Sequence, residues 1–209
     1  MKKKEYTALG RKISCELRDF IARDDMLIMV PMRQTLRGVC FENTGPETEQ
    51  FYMWAFLMPL YIPFEYISLN FGKRLGGGSH TWVTDRPNLI SDIIKAIRYE
   101  ALPFLGSPSC NEKEIDRYIL KLTSRLSNQN ALEVAAYTLI RIGEYEDALK
   151  KIDDLLLTLD REVEWEQKIE NRALFIKTEL LNSPANAMKQ MAVWTEQTLH
   201  NLDLISLVQ

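Results

Sequence analysis

The longest apolar run of the chain, FYMWAFLMPLYIPF at residues 51–64, carries prolines at positions 59 and 63. It leaves few structures open. A membrane-spanning helix needs about 20 apolar residues, and proline breaks a helix interior. Residues 51–58 are apolar on both parities and rich in aromatics, the pattern of a strand covered on both faces. Proline cannot donate to a ladder, so Pro59 and Pro63 close the strand.

Strand-like segments flank this one. MLIMV at 26–30 is stopped by Pro31, and TLRGVCFEN at 35–43 is ended by the turn-rich NTGPE. EYISLNFG at 65–72 alternates Ile67, Leu69 and Phe71 with polar neighbours and predicts a further strand. Short turns between about four strands imply an antiparallel meander. Ahead of them, Leu9, Ile13, Leu17, Phe20 and Ile21 recur at helical spacing, predicting a helix over 5–23 that RDD at 23–25 ends.

After Trp82 the periodicity changes. Asp85 and Pro87 open a helix whose Leu89, Ile93, Ile94, Ile97 and Leu102 face one way. GSPSCNEKE at 106–114 reads as a linker, and the rest as helices over 113–126, 130–142, 145–159, 162–182 and 185–202. The expected fold class is α+β: an N-terminal helix on an antiparallel sheet of about four strands, then an all-helical half of αα-hairpins. The two parts are 1–105 and 106–209, as sub-domains or one integrated domain.

Residues 130–159 resemble one tetratricopeptide-type helical hairpin. Gly143-Glu144-Tyr145 turns the chain, and Ala148 is small enough to let two helices approach. Ala136, Leu139 and Asp160 stand where that repeat has glycine, tyrosine and proline. A second turn, NSPAN at 182–186, comes about forty residues after the first, too far for a strict tetratricopeptide period.

The composition, 46% hydrophobic and 26% charged, is that of an ordinary globular chain. The net charge of −3 argues against general nucleic-acid binding, which needs a basic face. Residues 1–82 hold 11 cations and 9 anions, and residues 83–209 hold 15 and 20, so the acidity lies in the helical half. Cys15, Cys40 and Cys110 are odd in number and widely spaced, the usage of a reducing cytoplasm. The basic start lacks the apolar core of a signal peptide, and a cytoplasmic protein is expected.

Among motifs, FGKRLGGGSHTW at 71–82 draws attention. Gly72 and Gly77 have phosphate-loop spacing, but Gly78 and Ser79 follow with no lysine, and no helix begins there. The simplest reading of Gly76, Gly77 and Gly78 is a flexible connection leaving the last strand. The alternative is a loop that holds an anion between Lys73, Arg74, His80 and its own amides. His80 with Cys40 or Cys110 would make a base–nucleophile pair, but nothing in the sequence brings them together. His80 and His200 are the only histidines, so no zinc site, other metal or cofactor is expected, and no catalytic residue can be nominated.

The acidic stretch DREVEWEQKIE at 160–170 is the second feature. Glu162, Glu166 and Glu170 fall on one helical stripe, with Val163, Ile169, Ala173 and Ile176 to bury the other side. It reads as a solvated face or, with Asp160, as a surface that meets a basic partner protein.

The initial helix, the aromatic strand ending in PLYIP, LNFGKRLGG at 69–77, TW at 81–82 and the helical tail together resemble a family. It is a group of bacterial stand-alone proteins of unknown function, some encoded beside polymorphic toxins and regarded as candidate immunity proteins. The resemblance covers residues 5–82 and carries no catalytic residues. It implies a cytoplasmic inhibitor that binds one toxin tightly. The expected function is therefore a non-catalytic protein-binding module, with no membrane and no direct nucleic-acid partner. The alternatives are an anionic-ligand binder or enzyme using the glycine-rich loop, and an adaptor subunit of a larger bacterial assembly.

Overall fold

A computed structural model describes residues 3–45, 49–78 and 80–207 of the chain. The chain divides into two compact units. The first takes in the chain up to Met58, Ile67–Cys110 and the residues from Ser206; the second takes in Pro59–Tyr66 and Asn111–Ile205. The first boundary expected near 105 thus falls after Cys110, and a short segment inside the sheet half belongs with the helices.

The sheet unit opens with α1 (Lys3–Glu16), which buries Tyr6, Leu9 and Ile13 against β1 (Phe20–Arg23) and β2 (Met26–Met29). Gly10 permits that approach: a Cβ there would sit 3.2 Å from the Cβ of Ala22. The helix ends earlier than the sequence predicts, and Phe20–Arg23 is a strand. Phe20 and Ile21 satisfy helical spacing, but the chain turns at Leu17 and pairs Phe20 with Met29 and Arg23 with Met26. Asp24 takes the positive φ of 51° that this two-residue hairpin turn requires.

β3 (Thr35–Asn43) and β4 (Gln50–Pro59) form the centre of the sheet, as predicted. Thr35–Phe41 are buried without interruption. At Gly38 a Cβ would lie 2.5 Å from the Leu27 carbonyl oxygen, so only glycine fits between β2 and the Phe56 ring. The turn expected after Asn43 runs into residues outside those described, as does Ser79. β5 (Gly72–Arg74) and β6 (Trp82–Val83) both pair antiparallel with β4, so the described strands make a six-stranded sheet.

The strand predicted over 65–72 survives only at its last residue. Its amides bond elsewhere: Ser68 N–H donates to Met58 Sδ at 3.5 Å, and Asn70 N–H to the Ser68 hydroxyl at 3.4 Å. Alternating apolar residues there mark an irregular segment lying on the sheet, with Phe71 buried. The unit closes with α2 (Leu89–Ala96), a π-helical turn (Ile97–Ala101) and α3 (Leu102–Leu105).

The helical unit holds α4 (Glu112–Thr123), α5 (Gln129–Ile142), α6 (Tyr145–Thr158), α7 (Glu164–Asn182) and α8 (Pro184–Asn201). Their starts follow from local chemistry. Asn111 and Glu114 form a capping box on α4, Asn128 caps α5, and Ser183 caps α8 ahead of Pro184. Gly143, at φ 92°, ends α5 in the left-handed conformation. Ala136 and Ala148 are fully buried where α5 and α6 pack as a hairpin, and α7 packs on α8 as a second.

The proline-rich segment 59–66 completes this unit. Leu60, Tyr61 and Ile62 have no exposed surface. The Tyr61 hydroxyl bonds the Thr138 hydroxyl at 2.6 Å, and Thr198 Oγ1 donates to the Ile62 carbonyl at 3.0 Å. No helix among the described residues is long and apolar enough to cross a membrane.

Candidate functional site

The glycine-rich loop joins β5 to β6, so the sheet resumes after it for two residues because Trp82 pairs with Phe51. Gly76 and Gly77 take positive φ of 84° and 87°, a path that bulkier residues resist. A Cβ at Gly76 would also lie 2.6 Å from the His80 ring. The loop folds back on itself: His80 N–H donates to the Gly77 carbonyl at 3.3 Å. Gly77 and Gly78 have open space around them.

Lys73 and Arg74 do not converge on this loop. They are neighbours on a strand and point to opposite faces. Lys73 is exposed, whereas Arg74 is turned inward. The Arg74 guanidinium lies 3.5 Å from the centroid of the Tyr52 ring, and Nη2 donates to the His80 carbonyl at 2.8 Å. Its charge fastens the loop instead of facing solvent.

The Gly76 amide, a natural anion donor, is already occupied. It donates at 3.0 Å to the carboxylate of Glu100, on the π-helical turn. A cleft of about 390 Å³ opens beside this contact. Gly76, His80 and Trp82 wall one side; Arg86, Lys95 and Glu100 wall the other. Asp92 lies 3.9 Å from Arg86 and 3.7 Å from Lys95 and offsets them. The His80 ring stands edge-on to Trp82 at 4.7 Å, and the buried Trp82 indole N–H has no partner among the described residues. Tyr99, 79% exposed, overhangs the cleft. A π turn often marks a functional position, because the extra residue re-aims side chains. The sequence signals neither that turn nor the roles of Glu100 and Tyr99.

The cysteines stay away from His80: none lines the cleft. Cys40 is buried on β3, and burial, then Asp25 and Glu42, push its thiol up to about 12. Cys110 sits half-buried after α3.

The acids of 160–170 do not form one free stripe. Asp160 and Glu162 precede α7, and Glu162 N–H donates to the Asp160 carboxylate at 2.9 Å. Glu166 is buried and accepts from Asp160 N–H at 2.7 Å. Glu170 pairs with Arg161 at 2.8 Å. Asp160 and Glu162 remain exposed.

Elsewhere in the helical unit, buried acids are matched to arginines. Glu133 on α5 takes a two-pronged contact from Arg172 on α7 at 2.7 and 2.9 Å. Asp116 on α4 pairs with Arg141 on α5, whose guanidinium lies 4.8 Å from the Tyr61 ring centroid. These pairs fix helices to one another and offer no free acid or base. What α7 does leave free is apolar: Leu174, Phe175 and Leu181 are 46%, 46% and 65% exposed, while Ile169, Ala173, Ile176 and Leu180 fill the core.

A scan against protein-family models and searches of the curated proteins and of the solved structures returned no match to this chain.

Proposed function

We propose that this chain is a non-catalytic protein-binding module, a cytoplasmic immunity or antitoxin-like inhibitor that engages a basic toxin domain. The supporting observation is the second apolar face of α7. Leu174, Thr178 and Leu181 recur at spacings of four and three, with Phe175 beside them, on a helix whose core face is already filled. A helix of a soluble bundle keeps its outer face polar unless another surface covers it. The acids near that helix favour a basic partner: Asp160 and Glu162 are exposed at its start. Leu157, 86% exposed on α6, extends the apolar surface of the unit.

The test is co-expression with a basic toxin domain. The wild-type chain is expected to restore growth and co-purify with the toxin. Leu174→Asp with Leu181→Asp should abolish both while leaving the circular dichroism unchanged. A double variant that still protects places the surface elsewhere; a wild-type chain that neither binds nor protects ends the reading.

A second reading rests on the unpartnered indole N–H of Trp82 beside Arg86 and Lys95, which suits a small anionic ligand. A thermal-shift screen with nucleotides and phosphorylated metabolites decides it. Stabilisation by none of them removes it.

A further inference from the structure

Glu100 is an acid placed where an anionic ligand would sit. The cleft of about 390 Å³ beside the glycine-rich loop holds two cations, Arg86 and Lys95, and two acids, Asp92 and Glu100. Asp92 reaches both cations, but at 3.9 and 3.7 Å, too long for hydrogen bonds. The side chains of Arg86 and Lys95 are 52% and 66% exposed. Glu100 pairs with neither. Among the described residues, the one polar contact of its side chain is the Gly76 amide, at 3.0 Å.

That contact is not what fastens the loop. Leu75 N–H donates to the Met53 carbonyl at 2.9 Å, Arg74 donates to the His80 carbonyl at 2.8 Å, and His80 N–H returns to Gly77 at 3.3 Å. Gly76 is exposed, so water reaches its amide without help from Glu100. A carboxylate draws more from a full positive charge than from an amide dipole, yet Glu100 takes the amide. The π-helical turn sets it there: Ile97 and Ala101 are fully buried, and Glu100 comes out on the cleft wall between them.

Charge decides what this does to a ligand. With Glu100 in place, the two cations and two acids of the cleft balance. With its carboxylate swung out to solvent, cations outnumber acids and the Gly76 N–H is free. The amide already accommodates a carboxylate, which identifies the head group it takes.

We propose that Glu100 is an internal competitor for the ligand of this cleft. A carboxylate ligand enters by displacing the Glu100 carboxylate from the Gly76 amide, and Arg86 and Lys95 take up its charge. This rests on the reading of the cleft as an anion site, and adds the head group it takes and the contact that holds it closed.

Succinate is the probe, titrated into the full chain at constant ionic strength and followed by amide chemical shifts. Inorganic phosphate and ethylammonium chloride are the comparisons. Succinate should saturate the wild type at millimolar concentration and move the Gly76 amide. Glu100→Ala should bind it about fivefold tighter, the scale of one hydrogen bond no longer displaced. Glu100→Gln keeps an acceptor for the amide without the charge and should fall between. Arg86→Gln with Lys95→Gln should weaken binding roughly tenfold. The same spectra report whether each variant folds. Saturation of the wild type with no tightening in Glu100→Ala overturns the proposal and leaves the anion site standing; Glu100 is then a staple whose loss only lowers the thermal midpoint. No saturation by succinate or phosphate, in wild type or Glu100→Ala, ends both. Phosphate binding more tightly than succinate, or ethylammonium binding equally, overturns the carboxylate assignment.

Discussion

Single residues carry the sharpest expectations. Glu133 is 1% exposed and Arg172 depends on it for two hydrogen bonds. Glu133→Gln strands a mostly buried cation and should cost about 2–4 kcal/mol in urea unfolding, less than the full penalty because Arg172 is partly solvated. Adding Arg172→Met should recover part of the loss; a double variant no better than the single would show that the pair itself contributes the stability. Tyr6 makes a prediction about pH. Its folded pKa lies near 12 and its ordinary value near 10, so the folded state retains the proton across that window. Stability is therefore present below pH 10 and lost as pH rises toward 12. Tyr6→Phe should escape that loss, so its urea midpoint should pull ahead of wild type between pH 10 and 12. Tyr61 and Tyr137, whose buried hydroxyls also shift upward, act equally in both proteins and cancel from the difference. None of these environments is visible in the sequence. Glu166 shows why: its i, i+4 spacing announces a surface stripe, yet its carboxylate turns back to the Asp160 amide, a contact fixed by the path of the chain before α7.

Elements were legible where one local rule decided them. α4 to α8 start and stop close to their predicted positions because Asn111, Asn128, Gly143 and Ser183 are caps whose chemistry acts within a turn. Asn111→Ala should remove the side-chain half of the capping box, leaving the residue 111 N–H bonded to Glu114, and cost about 1 kcal/mol. Gly143→Ala should cost about as much through its φ of 92° alone, since nothing crowds the position. Equal urea midpoints for either variant and wild type would contradict this account of the helix ends. Elements failed where two rules agreed by coincidence. Phe20 and Ile21 fit a helix and a strand alike, and only the pairing with Met29 and Ile28, invisible in a single segment, chooses. Ile67, Leu69 and Phe71 alternate like a strand, but only Phe71 reaches the ladder, where its carbonyl accepts the Leu57 N–H at 3.1 Å. In the candidate cleft, the glycines were legible as a turn. Glu100, which fills the Gly76 amide, was not, because it lies 24 residues away on a turn of irregular pitch.

Across the whole molecule, the chain enters the helical unit twice, at Pro59–Tyr66 and again at Asn111. The first visit is not decorative. Tyr61 is fully buried against Thr138, and Phe64 N–H donates to Thr198 at 3.2 Å. Tyr61→Ala should therefore loosen helices far from it in sequence, at roughly 3–5 kcal/mol for a large aromatic removed from a core. Amide hydrogen exchange should quicken in α5 and α8; unchanged exchange there would show that the segment only fills space. The same arrangement bears on how the protein is made. Leu60, Tyr61 and Ile62 leave the ribosome well before α8, the helix that carries Thr198. At roughly 5–20 residues per second, that interval is on the order of ten seconds. During it, three of the most deeply buried residues of the chain wait without their pocket, so a nascent chain stalled before α8 offers a ready target for chaperones and proteases.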